Sequence, residues 1–328
     1  MLLFTPGPWL AQKNGFACDL SSVIGTKVFV GLAIFLFFLL PTAARAQGLN
    51  VAATTPILGD LVREVGAGRV RLAVVVPMGA DPHSFEPRPS TVRALAGARV
   101  LFANGLYLET FLSKLQAGLP QGARTVLLAE GLPNLLCLTE AERRAEIEQG
   151  LQVHRHGLCD PHLWLDPSYA RLYVERIQGV LSQLDPAGQD FYARRSADFL
   201  RRLESTDSEI KACLAAIPPN RRRIVVQHDA FRYAARHYGF EVVGSLASFV
   251  GQQRGPRALS ELALRIKQEG VQVIATEPQF AAGEARTLAE ATGARVITLL
   301  SDTLTPQVPT YLELLRFNGM NLCTAFAR

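Results

Sequence analysis

From residue 49 onward the chain alternates between two hydrophobic patterns. Short, nearly continuous apolar runs occupy residues 49–53, 70–76, 99–103 and 125–128. Between them apolar residues recur at helical spacing, as at Ile57, Leu58, Leu61, Val62 and Val65. Further helices are expected over residues 89–96 and about 108–115. Strand cores that are apolar on both faces, separated by amphipathic helices, predict a parallel sheet covered on both sides.

The rhythm breaks over residues 134–159, which carry a charged run from Glu140 to Glu148 and then His154, Arg155 and His156. An interruption of that length in a compact domain is usually functional or mobile. A helix follows over residues 168–184, with apolar Leu172, Val174, Ile177 and Val180. Residues 186–216 then read as a longer helix with no Gly or Pro after Gly188. At 1.5 Å per residue it would span roughly 45 Å, more than one small domain, so it reads as a strut. Pro218 and Pro219 end it. The alternation then restarts, with strands at 223–227, 241–244, 271–276 and 295–299 and helices at 231–238, 256–269, 283–292 and 310–326.

The expected fold is therefore α/β, with two lobes joined by one long helix. Each lobe has a roughly four-stranded parallel sheet flanked by helices. The boundaries read as an N-terminal lobe over 47–185, a linking helix over 186–217 and a C-terminal lobe over 218–328. Residues 1–46 read as a signal peptide. Lys27 precedes an apolar run over residues 28–40, and Pro41 and Ala44-Arg45-Ala46 follow it. The run falls short of the ~20 residues of a spanning helix, and the flanks describe export with cleavage after Ala46. An uncleaved membrane anchor is the alternative. Cys18 precedes the run, so it is not the lipid-bearing cysteine of a bacterial lipoprotein, and a soluble periplasmic protein is expected.

Composition adds two constraints. Formal net charge is +5; residues 1–46 hold Lys13, Lys27, Arg45 and Asp19, so the remainder carries 31 basic and 28 acidic residues, or +3. That excess is too small and too scattered to argue for nucleic acid. Cys137, Cys159, Cys213 and Cys323 remain, and four cysteines allow three pairings. An oxidising compartment makes disulfides plausible. Cys137 and Cys159 bracket the irregular segment and are expected to pair; Cys213 and Cys323, late in two helices, can form a second pair.

The candidate chemistry centres on residues 160–167, DPHLWLDP, where His162 lies between two Asp-Pro steps. Prolines stiffen the backbone on both sides. Asp81-Pro82-His83 repeats the phrase upstream, in a chain with only six histidines. His83 follows a predicted strand, His228 ends one and Asp302 follows one. Open parallel sheets bind ligands beyond the carboxyl ends of their strands, and a ligand shared by these residues would lie in the cleft between lobes. Three imidazoles and a carboxylate suit Zn(II); Mn(II) would take more carboxylate. Asp81, Asp160 and Asp229 are candidate acceptors for the outward-facing ring nitrogens. The four candidates stand 79, 66 and 74 residues apart, so no compact spacing rule supports them. Plainer readings remain. A histidine at a strand end can be an ordinary loop residue, and Asp302 can cap a turn. Glu277 can be a turn residue or an acceptor behind a ligand. His237 reads as structural. His154 and His156 can be loop residues or transient metal catchers.

At these residues the chain resembles the periplasmic zinc/manganese-binding proteins of ABC importers, the cluster built around one rigid helix between two α/β lobes. The phrases that carry the resemblance are GADPHSFEP (79–87), NGLYLE (104–109), DPHLWLDP (160–167), HDAF (228–231), TEPQF (276–280) and SDTL (301–304). It implies that His83, His162, His228 and Asp302 are the metal ligands. A histidine at the third position goes with zinc-type members and a glutamate with manganese-type members. The long His-rich loop of many zinc members is reduced here to His154, His156 and a few glutamates. The resemblance implies a monomer that captures Zn(II) as cargo in the periplasm and delivers it to an ABC permease in the inner membrane, with Mn(II) less favoured. No catalysis is expected, since four protein donors fill a tetrahedral zinc and leave no position for water. The alternatives are a manganese importer component and, from another class, a zinc-dependent hydrolase with Asp302 as general base.

Overall fold

The computed structural model describes residues 48–141, 144, 158–247 and 255–327. The segment read as a signal peptide, most of the charged run, and His154 and His156 lie outside the described residues.

The first half builds β1 (Leu49–Ala53), α1 (Pro56–Gly66), β2 (Val70–Val74), α2 (Pro89–Arg93), β3 (Val100–Ala103), α3 (Leu112–Gln116) and β4 (Arg124–Leu127). Its four strands pair in the order β2-β1-β3-β4, all parallel. Every residue of β3 is buried, as a central strand covered on both faces requires. Thr55 caps α1 by accepting from the Leu58 amide, and Pro56 opens the helix, where its missing N–H costs nothing.

Two long helices follow, α4 (Pro167–Leu184) and α5 (Gln189–Ala215). Asp166 caps α4 through the Ser168 amide, ahead of Pro167. The second half adds β5 (Arg223–Val226), α6 (Arg232–Tyr238), β6 (Glu241–Ser245), α7 (Pro256–Glu269), β7 (Val273–Thr276), α8 (Gly283–Thr292), β8 (Arg295–Thr298) and α9 (Tyr311–Ala327). The second sheet repeats the first in order and sense, β6-β5-β7-β8, all parallel. In each sheet the chain therefore reverses its direction of winding between two central strands, β1 and β3 or β5 and β7. Those switch points open a crevice at the strands' carboxyl ends.

The strut expectation holds in a refined form. α5 has 27 residues, about 40 Å. Residues 186–188 form a separate 3₁₀ turn, because Asp185 leaves the helical conformation and its carboxylate is taken by Arg69 and the Tyr192 hydroxyl. Tyr192, Ser196, Phe199, Leu203, Thr206, Ile210 and Leu214 form the buried stripe of α5. It packs on α1 and α4 beside the first sheet and on α9 beside the second. Gly319 of α9 lets the two helices approach closely, since a Cβ there would meet Ile210 at 2.6 Å. One core cluster runs through Phe102, Leu61, Phe199, Leu314 and Val226, so both lobes share it. Two smaller clusters fill the outer faces of the sheets. Disulfides join Cys137 to Cys159 and Cys213 to Cys323; the second staples the end of α5 to α9.

Two helices are shorter than their patterns: α2 ends at Arg93 where 89–96 was expected, and α3 starts late. Residues 108–115 read as helical, but α3 begins at Leu112. Gly105, Leu106 and Tyr107 all have positive φ, at 85°, 53° and 64°, which no helix accommodates.

Candidate metal centre

Each of the four candidate side chains is held by its own local device. His83 lies in the loop after β2, where Asp81 accepts from the His83 amide at 2.9 Å and from Ser84 Oγ at 2.7 Å. Gly79, in the same loop, donates to Thr303 Oγ1 at 2.8 Å and so ties this loop to the one bearing Asp302. His162 follows Pro161; Asp160 Oδ1 accepts from its amide at 3.0 Å and faces its Nδ1 at 2.8 Å. The next segment is pinned across the molecule, with Trp164 Nε1 donating to Ser301 O and Tyr311 Oη donating to Trp164 O. His228 stands just beyond β5, with its Nδ1 2.7 Å from Glu277 Oε1. Glu277 follows β7, the neighbouring strand, and its other oxygen accepts from Ser301 Oγ and Gln279 Nε2.

These devices turn the Nε2 atoms of three imidazoles and the Asp302 carboxylate toward one point. The ligating atoms of His83, His162, His228 and Asp302 all lie within 4.8 Å of one another, and among the described residues they form the one such group. His83 Nε2 is 3.2 Å from His162 Nε2 and 3.6 Å from Asp302 Oδ2. Asp302 also lies 3.4 Å from His162 Nε2 and 3.3 Å from His228 Nε2. All four residues are buried, Asp302 to 1% exposure. His228 Nε2 and both Asp302 oxygens make no hydrogen bond among the described residues. Buried polar atoms without partners are costly, and a cation bound between them would satisfy all three.

The electrostatics follow from this crowding. Burial alone would lower the His228 pKa, but the Glu277 and Asp302 carboxylates outweigh it and hold the imidazole well above its usual value. Burial would raise Asp302, yet His228 and His162 hold its carboxyl well below the usual range. The centre is thus a compact set of donors with one central negative charge, suited to a divalent cation.

The sequence reading brings its four residues together here, and the plainer reading of Asp302 as a turn cap gives way to a buried carboxylate facing three histidines. Two of the three expected acceptors differ from expectation. The partner of His228 Nδ1 is Glu277, 49 positions away, and not the adjacent Asp229. Glu277 ends β7 as His228 ends β5, and these strands are neighbours, so the strand-end position was the available signal. Asp160 takes the expected role behind His162; Asp81 holds the backbone of His83. His237 does not join the centre: it bridges Asp166 and Asp207.

The family described as zinc-uptake complex component A, periplasmic, matches residues 51–325. The chain belongs to that family, ZnuA. It is similar to a manganese-binding lipoprotein, MntA, of Halalkalibacterium halodurans, at 30% identity over 62% of this chain and 62% of that one. It is also similar to the manganese ABC transporter substrate-binding lipoprotein PsaA of Streptococcus mitis, at 24% identity over 87% of this chain and 92% of that one. Among solved structures, the periplasmic zinc-binding protein TroA of Treponema pallidum superposes with a TM-score of 0.75 at 26% identity, covering 86% of this chain and all of TroA. The two-lobe fold with its long helix is that of TroA. This ZnuA-family chain is the metal-binding component of an ABC importer, with a divalent metal as cargo and a membrane permease as partner, and not an enzyme.

Proposed function

We propose that this ZnuA-family protein captures Zn(II), with His83, His162, His228 and Asp302 as its four ligands. It is exported through a cleaved signal peptide over residues 1–46 and delivers zinc as a monomer to a permease in the inner membrane. The observation that carries the zinc reading is the spacing of the donor atoms. Zinc–nitrogen bonds of about 2.0–2.1 Å put tetrahedral ligand atoms about 3.3–3.4 Å apart. His83 Nε2 and His162 Nε2 stand 3.2 Å apart, the Asp302 oxygens approach the three imidazoles at 3.3, 3.4 and 3.6 Å, and all the donor atoms lie within 4.8 Å of one another. Three imidazoles and one carboxylate also suit zinc better than manganese, which favours oxygen-rich octahedral sites. The names of the MntA and PsaA relatives favour the manganese reading.

X-ray absorption on the loaded protein separates the two. Four nitrogen and oxygen neighbours at about 2.0 Å, with no added water, are expected for zinc. A six-coordinate metal as the form isolated from the periplasm, retained in the presence of equimolar zinc, would overturn the zinc reading.

The shared core and the unbroken α5 also bear on release. A helix without internal Pro or Gly resists hinge bending, and both lobes pack on this one. Metal gain and loss is therefore expected to move ligand-bearing loops rather than whole lobes. Small-angle scattering should give the same radius of gyration with and without zinc, and hydrogen exchange in α5 should not change. A marked compaction on zinc binding would contradict a rigid strut.

A further inference from the structure

We propose that Asn104, anchored by the buried carboxylate of Glu109, is the positioning residue for His162. The inference rests on the reading of His162 as a metal ligand.

It begins at the switch point of the first sheet. Glu109 is 5% exposed, deep between the carboxyl ends of β1 and β3. Its Oε1 accepts from Thr54 Oγ1, just past β1, at 2.6 Å and from the Asn104 amide, just past β3, at 2.8 Å. Its Oε2 accepts from the Gly105 amide at 3.1 Å. A buried carboxylate is expensive to keep, and burial does push this one up despite its hydrogen bonds. Such a group persists where it organises a backbone that could not otherwise hold its shape. That backbone is the run of positive φ from Gly105 to Tyr107, two of its three residues not glycine.

The product of this arrangement is the orientation of the Asn104 side chain, which is fully buried and uses all its polar atoms. Its Oδ1 accepts from Tyr173 Oη on α4 at 2.6 Å. Its Nδ2 donates to Gly105 O at 3.1 Å and to Pro161 O at 3.0 Å. The last bond reaches the peptide unit between Pro161 and His162. The other face of that planar unit is held too, since the His162 amide donates to Asp160 at 3.0 Å. Pro161 O also accepts from the Leu163 amide at 2.9 Å. His162 thereby sits at φ −84° and ψ 42°, close to an inverse γ-turn and outside the helical and strand basins. Asp160 sets the ring's rotation through Nδ1; Asn104 and Asp160 together set the plane from which the ring projects. Without the Asn104 amide, that peptide can rotate and carry Nε2 off the point where the four donors converge.

A thermodynamic cycle tests this with Zn(II) itself, on the full mature protein. His162→Ala, Asn104→Ala and the double variant are titrated with zinc against a competing chelator, and the melting temperature of each metal-free form is recorded. Removing a group that orients a ligand typically costs about 10- to 100-fold in affinity. Asn104→Ala is expected to lose about that much in the wild-type background and nothing further once His162 is gone. Tyr173→Phe, which removes one methyl-sized polar contact and should fold readily, is expected to show a smaller loss that also vanishes in the His162→Ala background. An unchanged affinity in both, or the same fold-loss with and without His162, would assign Asn104 to general stability and overturn the inference. If His162→Ala itself leaves zinc affinity unaltered, His162 is no ligand, and the proposed site falls together with this inference.

Discussion

His228→Ala is expected to weaken zinc binding by about 100- to 1000-fold at neutral pH, measured by chelator competition. Structural zinc sites of four ligands bind with about 10–16 kcal/mol, so each donor carries roughly 2.5–4 kcal/mol. Two features make this position the most sensitive. His228 and Asp302 are the proposed donors from the second lobe, so removing His228 would leave that lobe holding the metal by one carboxylate. Glu277, whose Oε1 faces His228 Nδ1, would also lose its imidazole and keep a buried charge with fewer partners. Water can enter the gap, but it is a weaker and less fixed donor than an imidazole. His228→Glu is the informative companion. It gives the centre a second carboxylate, as in manganese-type members, and should lower the zinc-to-manganese preference more than His228→Ala does. Zinc affinity within threefold of wild type in His228→Ala would remove this residue from the ligand set.

His237→Ala is expected to lower the melting temperature by roughly 3–5 °C near pH 6 without abolishing metal binding. His237 on α6 lies 2.9 Å from Asp166, the cap of α4, and 2.7 Å from Asp207 on α5. One imidazole thus ties three helices from both lobes. Burial would lower its pKa, but the two carboxylates outweigh burial and push it up to about 9. Asp166 and Asp207 are correspondingly held below the usual carboxylate range, against the effect of burial, by the bond to His237. The folded protein therefore keeps the His237 proton more tightly than the unfolded chain does. The histidine's contribution is complete below about pH 6.5, the unfolded value, and is lost as pH rises through about 9. The two aspartates behave oppositely: theirs is present above about pH 4 and lost as pH falls below it. The shift corresponds to about 3 kcal/mol, which solvent screening trims to about 2 kcal/mol. The gap in melting temperature between wild type and His237→Ala should be widest between about pH 5 and 6.5 and close toward pH 9. A gap that is constant from pH 6 to 9 would mean that His237 acts by packing alone.

Much of the architecture was legible because its signals are local. The run VLFA at β3 is apolar at every position, so it had to be covered on both faces. Residues 189–215 hold no Pro or Gly, and a buried residue falls every third or fourth place, so one straight helix was the simplest outcome. Cys137 and Cys159 bracket the irregular segment, and that made their pairing the natural expectation. The shortened α3 was not legible in the same way. Residues 108–112 have helical spacing, but the positive φ values just before them depend on Glu109 accepting backbone amides that only the folded sheet brings within reach.

At the centre the division is similar. The two Asp-Pro-His phrases, His228 at a strand end and Asp302 beyond another were visible in the chain, since stiff flanks and strand ends are properties of neighbouring residues. What lies behind them was legible only in part: Asp160 beside His162 was, whereas His228 had both Asp229 and Glu277 as candidates and no role for Asn104 was read. Glu277 reaches His228 because β5 and β7 pair in the sheet, and Asn104 reaches Pro161 because β3 ends beside the segment that leads into α4. Sequence alone therefore determined most of the elements and the long helix, which follow from short-range pattern, and the resemblance carried by its motifs marked the four candidate donors. Only the tertiary structure decided that Glu277 and not Asp229 faces His228 and how far apart the donors stand, because those distances arise from strand order and from helices packed across a core common to both lobes.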